Sequence, residues 1–437
     1  MFEIDFSLFL DKTALIQDDT HISYAQLQKR CDEFAKTLPK KRQLIILQMR
    51  NTIDSVVAYL SSLREGHVII MLDFSLSQRL KESIYQAYQP NLIYSDKRLS
   101  TFSDKEHKLH KDLSVLLSTS GSTGSSKMIR LTHKNINANS SSILHYLPIN
   151  SDDITITTLP LYYSYGLSVL NTHLLAGATV VLSEHSVVSK DFWYEFDKHS
   201  ISNLNGVPYH YEMLRRLGFL KKEHKSLRFL TQAGGKLNNS LIKEFGDWAK
   251  ESQKEFYVMY GQSEATARIS YLPPKKLLDK IGSIGVAIPE GELSIENSEL
   301  IYKGENVMMG YSSSFEDLYR GDELNGVLKT GDLGYMDSDG YFFITGRAKR
   351  FVKLFGNRVN LDEIEQSLKD ISDEIAVIGK DENITVLSKD TNTEQIKKTV
   401  LKRYGFHHSI LHVKNIEKLI YKNNSKIDYQ ELTRRYL

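Results

Sequence analysis

The stretch LSVLLSTSGSTGSSKMIRLTH, residues 113–133, decides how the rest of the chain is read. Its first six residues are an apolar run of strand type, and MIRL, residues 128–131, reads as a second strand. Between them lie glycines, a series of serine and threonine hydroxyls and Lys127. Glycine lets backbone approach a polyphosphate closely, hydroxyls and N–H groups donate to its oxygens, and the lysine supplies charge. The spacing is not that of a Walker A loop. The helix opens only after Thr132 and His133, so phosphates held here would not rest on a helix N-terminus. Composition alone would also allow a flexible Ser/Gly linker, although linkers rarely sit between two apolar strands of one compact domain.

Outward from that loop, short apolar runs alternate with helical patterns. QLIILQM (43–49), HVIIML (67–72), NLIYS (91–95), ATVVLS (178–183), SNLNGV (202–207), RFLTQA (228–233) and EFYVMY (255–260) read as strands. Helices are expected at residues 53–64 and 76–88. This alternation predicts βαβ units and buried, mostly parallel sheets. From Ile281 short strands and Gly turns take over, as in GELSIENSELIYKGEN and DSDGYFFITG, which predicts a small antiparallel or barrel-like unit. After TGRAKR, Asn360 and Glu363 read as a capping box, with Leu361, Ile364 and Leu368 on one face of the helix. The expected fold class is therefore α/β. A large N-terminal domain, residues 1–348, would precede a small α+β C-terminal lid, residues 349–437.

Composition narrows the function. With 437 residues and a formal net charge of +2, the whole-chain field favours neither nucleic acid nor an anionic membrane as partner. A single cysteine, Cys31, rules out an intrachain disulfide and a multi-cysteine metal site. It sits in an amphipathic helical pattern and reads as a buried small hydrophobe. The segment MFEIDFSLFLDK carries acids where a secretory signal would carry lysine or arginine, and no run nears the ~18 apolar residues that span a bilayer. A cytoplasmic enzyme with no membrane insertion is the expectation.

Seven motifs, STSGSTGSSK (118–127), PLYYSYGL (160–167), AGGKL (233–237), YGQSEAT (260–266), KTGDLGY (329–335), GRAKRFVKLFGNRVNLDEIE (346–365) and NNSKIDYQEL (423–432), occur in this order. Together they resemble the adenylate-forming superfamily of acyl-CoA synthetases, luciferases and peptide-synthetase adenylation domains. The resemblance implies ATP and Mg²⁺ as cofactors, with Ser120, Gly121, Ser122, Thr123, Gly124 and Lys127 around the outer phosphates. It places Tyr260 and Gly261 against adenine, Ser263 at the α-phosphate, and Glu264 with Thr123 at the magnesium ion, a carboxylate and phosphate oxygens being what Mg²⁺ prefers. Gly234 and Gly235 would let adenine lie against backbone. Asp332 would accept the ribose hydroxyls, with Arg347 as second ribose contact. By themselves Glu264 could be a solvated acid, Asp332 part of a tight turn and Arg347 a surface ion pair.

Lys426 matches the family's catalytic lysine, which neutralises charge as a carboxylate attacks an anionic α-phosphate. The same likeness implies a hinge at Lys349, about which the lid turns to expose a second face bearing Lys353 and Gly356. Several positions depart from the usual pattern: Ser126 and Met128 for Pro and Gly, Lys236 for Ala, Tyr163 for His and Ser425 for Gly. PLYYSYGL lacks the Asp that pairs an amino acid's ammonium, which favours a plain acyl or hydroxy-acyl substrate. Tyr163, Tyr165, Asn205 and Gly206 are candidate pocket residues, and core packing is an equal reading for each.

The implied reaction makes an acyl-adenylate and pyrophosphate from a small carboxylic acid. The acyl group then passes to the pantetheine thiol of CoA or of an acyl carrier protein. The alternatives are a non-catalytic nucleotide-binding scaffold, an amino-acid adenylating enzyme that loads a carrier protein, and a P-loop phosphotransferase, which would release ADP.

Overall fold

The structure is a computed structural model and describes residues 6–118, 127–347, 350–354, 357–369, 371–372, 374–380, 382–389, 392–404, 406–422 and 427–437. Contacts divide the chain into two units. The first comprises Met1–Ile281, Gly285–Glu292 and Tyr302–Leu328; the second comprises Gly282–Ile284, Leu293–Ile301 and Lys329–Leu437.

Two mixed sheets build the first unit. One has seven strands, in the order Gly310–Ser312, Met128–Thr132, Leu113–Ser118, Val68–Asp73, Leu44–Met49, Leu92–Ser95, Arg98–Thr101. Its middle is parallel and its edges are antiparallel. Leu44–Met49 and Val68–Asp73 are buried along their whole length, as unbroken aliphatic runs require of strands covered on both faces. The other sheet has nine strands and runs parallel from Glu255–Tyr260 through Phe229–Gln232, Asn203–Gly206, Ile154–Ile156 and Thr179–Val181 to Thr13–Gln17.

Helices Ile53–Arg64 and Ser164–Leu175 are buried nearly all round, the state of a helix with apolar or small residues on every face. A single core cluster joins Leu47 and Ile69 of one sheet to Leu15 and Val180 of the other through Val56 and Leu170 of these helices. Cys31 lies 2 % exposed on helix Tyr24–Ala35. Burial pushes its thiol up to about 11, so it packs as an inert hydrophobe.

Most of a four-stranded sheet, in the order Glu292–Glu296, Glu299–Lys303, Val327–Met336, Phe342–Arg347, belongs to the second unit. That unit also contains a three-stranded sheet, Ile375–Lys380, Asn383–Ser388 and Leu411–Asn415, with helices Leu361–Ser367, Thr393–Tyr404 and Tyr429–Tyr436. Alternate residues of Ile375–Lys380 feed two cores: Ile375 and Val377 pack with Leu361, Ile364 and Leu368, while Ala376 and Ile378 pack with Leu419 and Leu432. The expected apolar face of the 361–368 helix is thus found buried. No described helix is long and apolar enough to cross a membrane.

Candidate active site

Strands Leu113–Ser118 and Met128–Thr132 pair antiparallel with Ser118 opposite Met128. The hydroxyl-rich segment is therefore the connection of a hairpin, tied at both ends to a sheet. Helix His133–Tyr146 follows, its first turn capped by a Thr132 hydroxyl that accepts from the Asn135 N–H. Ser120, Gly121, Ser122, Thr123 and Gly124 lie outside the described residues; Lys127 lies within them.

Lys127 Nζ sits 3.6 Å from the centre of the Tyr311 ring. The Tyr311 hydroxyl donates to Glu264 Oε1 at 3.0 Å. Strand Gly310–Ser312, which carries Tyr311, pairs with Met128–Thr132. It is further held by the fully buried Arg130, whose Nε donates to the Tyr311 carbonyl at 3.2 Å and whose Nη2 binds Glu323 at 2.7 Å. Two motif residues far apart in sequence therefore meet on one tyrosine. Burial and the Glu264 charge push the Tyr311 hydroxyl well above the usual phenol range, so it stays a donor. Glu264 keeps its second oxygen without a hydrogen bond among the described residues, as a carboxylate able to take a Mg²⁺ ion would.

Glu264 stands on a loop with a demanding backbone. Residues 261–269 connect Glu255–Tyr260 to the antiparallel strand Ser270–Leu272. The loop closes on itself: Ile269 N donates to the Tyr260 carbonyl at 2.9 Å and Ala267 N to the Gln262 carbonyl at 3.2 Å. Gly261 is required here, because a Cβ would lie 1.8 Å from the Ala267 carbonyl oxygen. Thr266 and Ala267 both have positive φ, 54° and 105°. Strain of about 1–3 kcal/mol per residue persists only where the surroundings over-determine it, and such spots cluster at functional sites. Tyr260 is partly exposed, with its hydroxyl accepting from Gln262 Nε2 at 3.1 Å. The Ser263 hydroxyl lies 2.9 Å from that of Ser164.

Beside this loop the PLYYSYGL segment starts helix Ser164–Leu175, with Tyr163 at its N-cap. Burial pushes the Tyr163 hydroxyl up to about 12. Gly234, at φ 83°, faces it: a Cβ there would come within 2.9 Å of the Tyr163 oxygen. Gly235 packs against Pro208, and Lys236 is exposed.

Asn205 is held on several sides by neighbouring strands. Its side chain accepts from Thr231 Oγ1 at 2.6 Å and donates to Thr155 Oγ1 and Asn203 Oδ1, each at 3.1 Å, inside the sheet core. A Cβ on Gly206 would meet the Tyr211 ring at 2.9 Å. Asn205 and Gly206 are thus closely packed by protein groups. One further residue, Arg268, is only 2 % exposed, with Cζ 3.9 Å from the centre of the Tyr165 ring. Neither Tyr311 nor Arg268 was among the residues singled out from sequence. A lone arginine inside the otherwise small or apolar ATARIS run was the available signal for the second.

In the second unit Asp332 and Arg347 are register partners on adjacent strands, joined by an ion pair of 3.2 Å. Asp332 is buried and Arg347 exposed. Asp332 lies within strand Val327–Met336, not in a tight turn. Lys349 and Lys426 lie outside the described residues. Their neighbours within the unit are joined: Arg350 stacks on the Tyr429 ring at 3.7 Å, and both bind Glu365, at 3.3 Å and 2.6 Å. Arg350 also pairs with Asp362. A surface concavity of about 980 Å³ near His110, His133 and Glu305 contains none of the candidate residues.

The AMP-binding enzyme family model matches residues 2–111 and 86–312. The 2-succinylbenzoate–CoA ligase of Bacillus subtilis (strain 168) is 25% identical over 400 residues, covering 82% of this chain and 79% of that protein. The corresponding ligase of Bacillus pumilus (strain SAFR-032) is 27% identical over 400 residues, with the same coverages of 82% and 79%. Among solved structures, the Bacillus subtilis o-succinylbenzoate CoA synthetase in complex with the acyl-adenylate OSB-AMP superposes with a TM-score of 0.79. It shares 20% identity and covers 96% of this chain and 95% of its own. ATP-bound MatB from Rhodopseudomonas palustris gives 0.79 at 21% identity, covering 99% and 97%. These likenesses establish the same fold.

Proposed function

The chain belongs to the AMP-binding enzyme family, and from that premise we propose that it is an ATP-dependent ligase joining a carboxylic acid to coenzyme A. In the first half-reaction an oxygen of the acid attacks the α-phosphorus of ATP and pyrophosphate leaves, giving an acyl-adenylate. In the second the thiol sulfur of CoA attacks the acyl carbon, the C–O bond to phosphate breaks and AMP leaves. The observation that carries the reading is the meeting of Lys127, over the ring, and Glu264, at the hydroxyl, on Tyr311. A cation for phosphate and a carboxylate for magnesium are held at one place by a residue that fixes both.

The assigned roles are those that the family resemblance implies. Lys127, with Ser120, Gly121, Ser122, Thr123 and Gly124, binds the outer phosphates. Tyr260 and Gly261, with Gly234 and Gly235, receive adenine; Ser263 lies toward the α-phosphate. Glu264 with Thr123 would hold Mg²⁺, which when bound draws charge off the phosphate oxygens. Asp332 accepts the ribose hydroxyls, and Arg347 lies opposite. Lys426 neutralises the charge that accumulates as carboxylate meets phosphate. The lid turns about Lys349, with residues 1–348 on one side and 349–437 on the other. Tyr163 closes the acyl pocket. A cytoplasmic setting, where ATP and CoA are supplied, fits this chemistry.

The 2-succinylbenzoate ligases make 2-succinylbenzoate the first acid to try. Acid-dependent ATP–pyrophosphate exchange, followed by CoA-dependent release of AMP, tests the proposal. Release of ADP would indicate a phosphotransferase instead. ATP binding without exchange over a broad panel of acids would indicate a scaffold.

A further inference from the structure

Helix Ser164–Leu175 is tied to the sheet behind it by a continuous chain of buried polar side chains. Tyr165, Val169 and His173 recur every four residues and so share one face of the helix. Asn203 and Asn205 alternate along strand Asn203–Gly206, and Thr231 is the register partner of Asn205 on the next strand. The direction of each bond is set from the helix end of the chain. The Val169 carbonyl can only accept, so His173 Nδ1, 2.8 Å away, carries the proton. Burial holds this imidazole below its usual range, so it is neutral and its Nε2 accepts. Asn203 Nδ2 donates to that Nε2 at 3.1 Å, which leaves Asn203 Oδ1 to accept from Asn205 Nδ2, also at 3.1 Å. Asn205 Oδ1 accepts from Thr231 Oγ1 at 2.6 Å. With its one proton spent there, Thr231 Oγ1 accepts from the Tyr165 hydroxyl at 2.8 Å. The chain therefore begins and ends on one helix.

Apolar packing is non-directional and tolerates a small turn or slide of a helix, whereas this chain closes in one placement only. That placement is felt at the helix start. The Tyr165 ring lies 3.9 Å from where a Cβ on Gly234 would sit, and it meets Tyr163 edge-on with ring centres 6.5 Å apart. Ser164, between the two tyrosines, reaches Ser263 of the Glu264 loop at 2.9 Å. We infer that Asn203, Asn205 and Thr231 are positioning residues for the acyl pocket. They act from inside the sheet, and they decide which acids are accepted by holding Tyr165, and with it Tyr163, in one place. This rests on the ligase reading and on the two tyrosines lining the pocket within it.

The test separates hydroxyl from packing at one position. Thr231→Val keeps the shape and removes the hydroxyl; Thr231→Ser keeps the hydroxyl and removes a methyl. kcat and KM are read from acid-dependent ATP–pyrophosphate exchange by the intact chain, over butyrate, 3-hydroxybutyrate, benzoate and 2-succinylbenzoate. Melting temperature is measured alongside. Both variants should melt below the wild type, but only Thr231→Val should re-rank the acids. In that variant KM for the best acid rises on the order of 10-fold while ATP KM stays within about twofold, because a small misplacement of a substrate is costly even when its cause is remote. Tyr165→Phe cuts the chain at its last link, leaves Thr231 and Asn205 paired, and gives the same shift should Thr231→Val not fold. Where both fold, the double variant is no worse than either single one, since each breaks the same chain. A wild-type ranking of the acids in Thr231→Val or in Tyr165→Phe, or an equal shift in Thr231→Ser, overturns the inference and leaves the ligase reading standing. Absence of exchange by the wild type with every acid overturns the ligase reading, and the positioning role falls with it.

Discussion

Replacing Tyr311 by phenylalanine isolates one bond. The ring under Lys127 remains, and the 3.0 Å hydrogen bond to Glu264 is lost. Hydrogen bonds to a charged acceptor contribute about 1.5–3 kcal/mol. Tyr311 is 36% exposed, so water recovers part of this and the lower end, about 1.5 kcal/mol, applies. If that energy orients Glu264 toward the nucleotide's metal ion, kcat/KM for adenylation falls about 10-fold. The loss should be largest at low Mg²⁺ and shrink as Mg²⁺ is raised. Thioester formation from preformed adenylate should be untouched. Tyr311→Leu removes the ring as well, and with it about 0.5–1 kcal/mol of cation–π attraction, so ATP KM rises a further few-fold. The assay is acid-dependent ATP–pyrophosphate exchange across a Mg²⁺ series. Exchange by Tyr311→Phe within twofold of wild type at every Mg²⁺ concentration would refute the reasoning.

Other substitutions probe the remaining parts. Gly261→Ala puts a methyl 1.8 Å from a backbone oxygen that cannot move aside, so the Glu264 loop must open. Melting temperature and exchange should both drop, exchange by on the order of 100-fold; near-normal activity would show the loop to be pliable. His210 is buried and held down to about 4 by burial alone, from 6.5. On acidification the unfolded chain takes up this proton first, so the His210 contribution to stability is level above pH 6.5 and falls toward pH 4 by about 3 kcal/mol, a part of the slope that His210→Gln should remove in urea melts. Lys426→Ala should cut acyl-adenylate formation by orders of magnitude while ATP still binds, and unchanged adenylation would remove this lysine from the reaction. Lys349→Pro should impair the thioester step more than adenylation, because proline fixes φ at the pivot; equal loss in both counts against rotation there.

Much of the fold was legible because local signals and tertiary demands coincide. LSVLLS is strand Leu113–Ser118, residues 53–64 are helix Ile53–Arg64, and EFYVMY is strand Glu255–Tyr260. Aliphatic runs buried on both faces leave little ambiguity. The hairpin around the hydroxyl-rich loop was also readable, since MIRL ends before a helix cap. What stayed hidden is non-local. Tyr311 reaches the site because its strand pairs with Met128–Thr132, and no local pattern announces a partner so distant in the chain. Asn205 read equally as a pocket residue or as core packing, and only the fold shows that neighbouring strands supply Thr155 and Thr231 to its side chain.

The stacking of Arg350 on Tyr429 bears on how a lid of this kind could be timed. One of these residues is the first past the proposed pivot; the other is the third past the proposed catalytic lysine. With Glu365 clasping both, torque at the pivot would pass through packed side chains, not along slack polypeptide. If the proposed lid turns there, the cation's arrival would depend on a few backbone torsions, and both half-reactions would run on one crank.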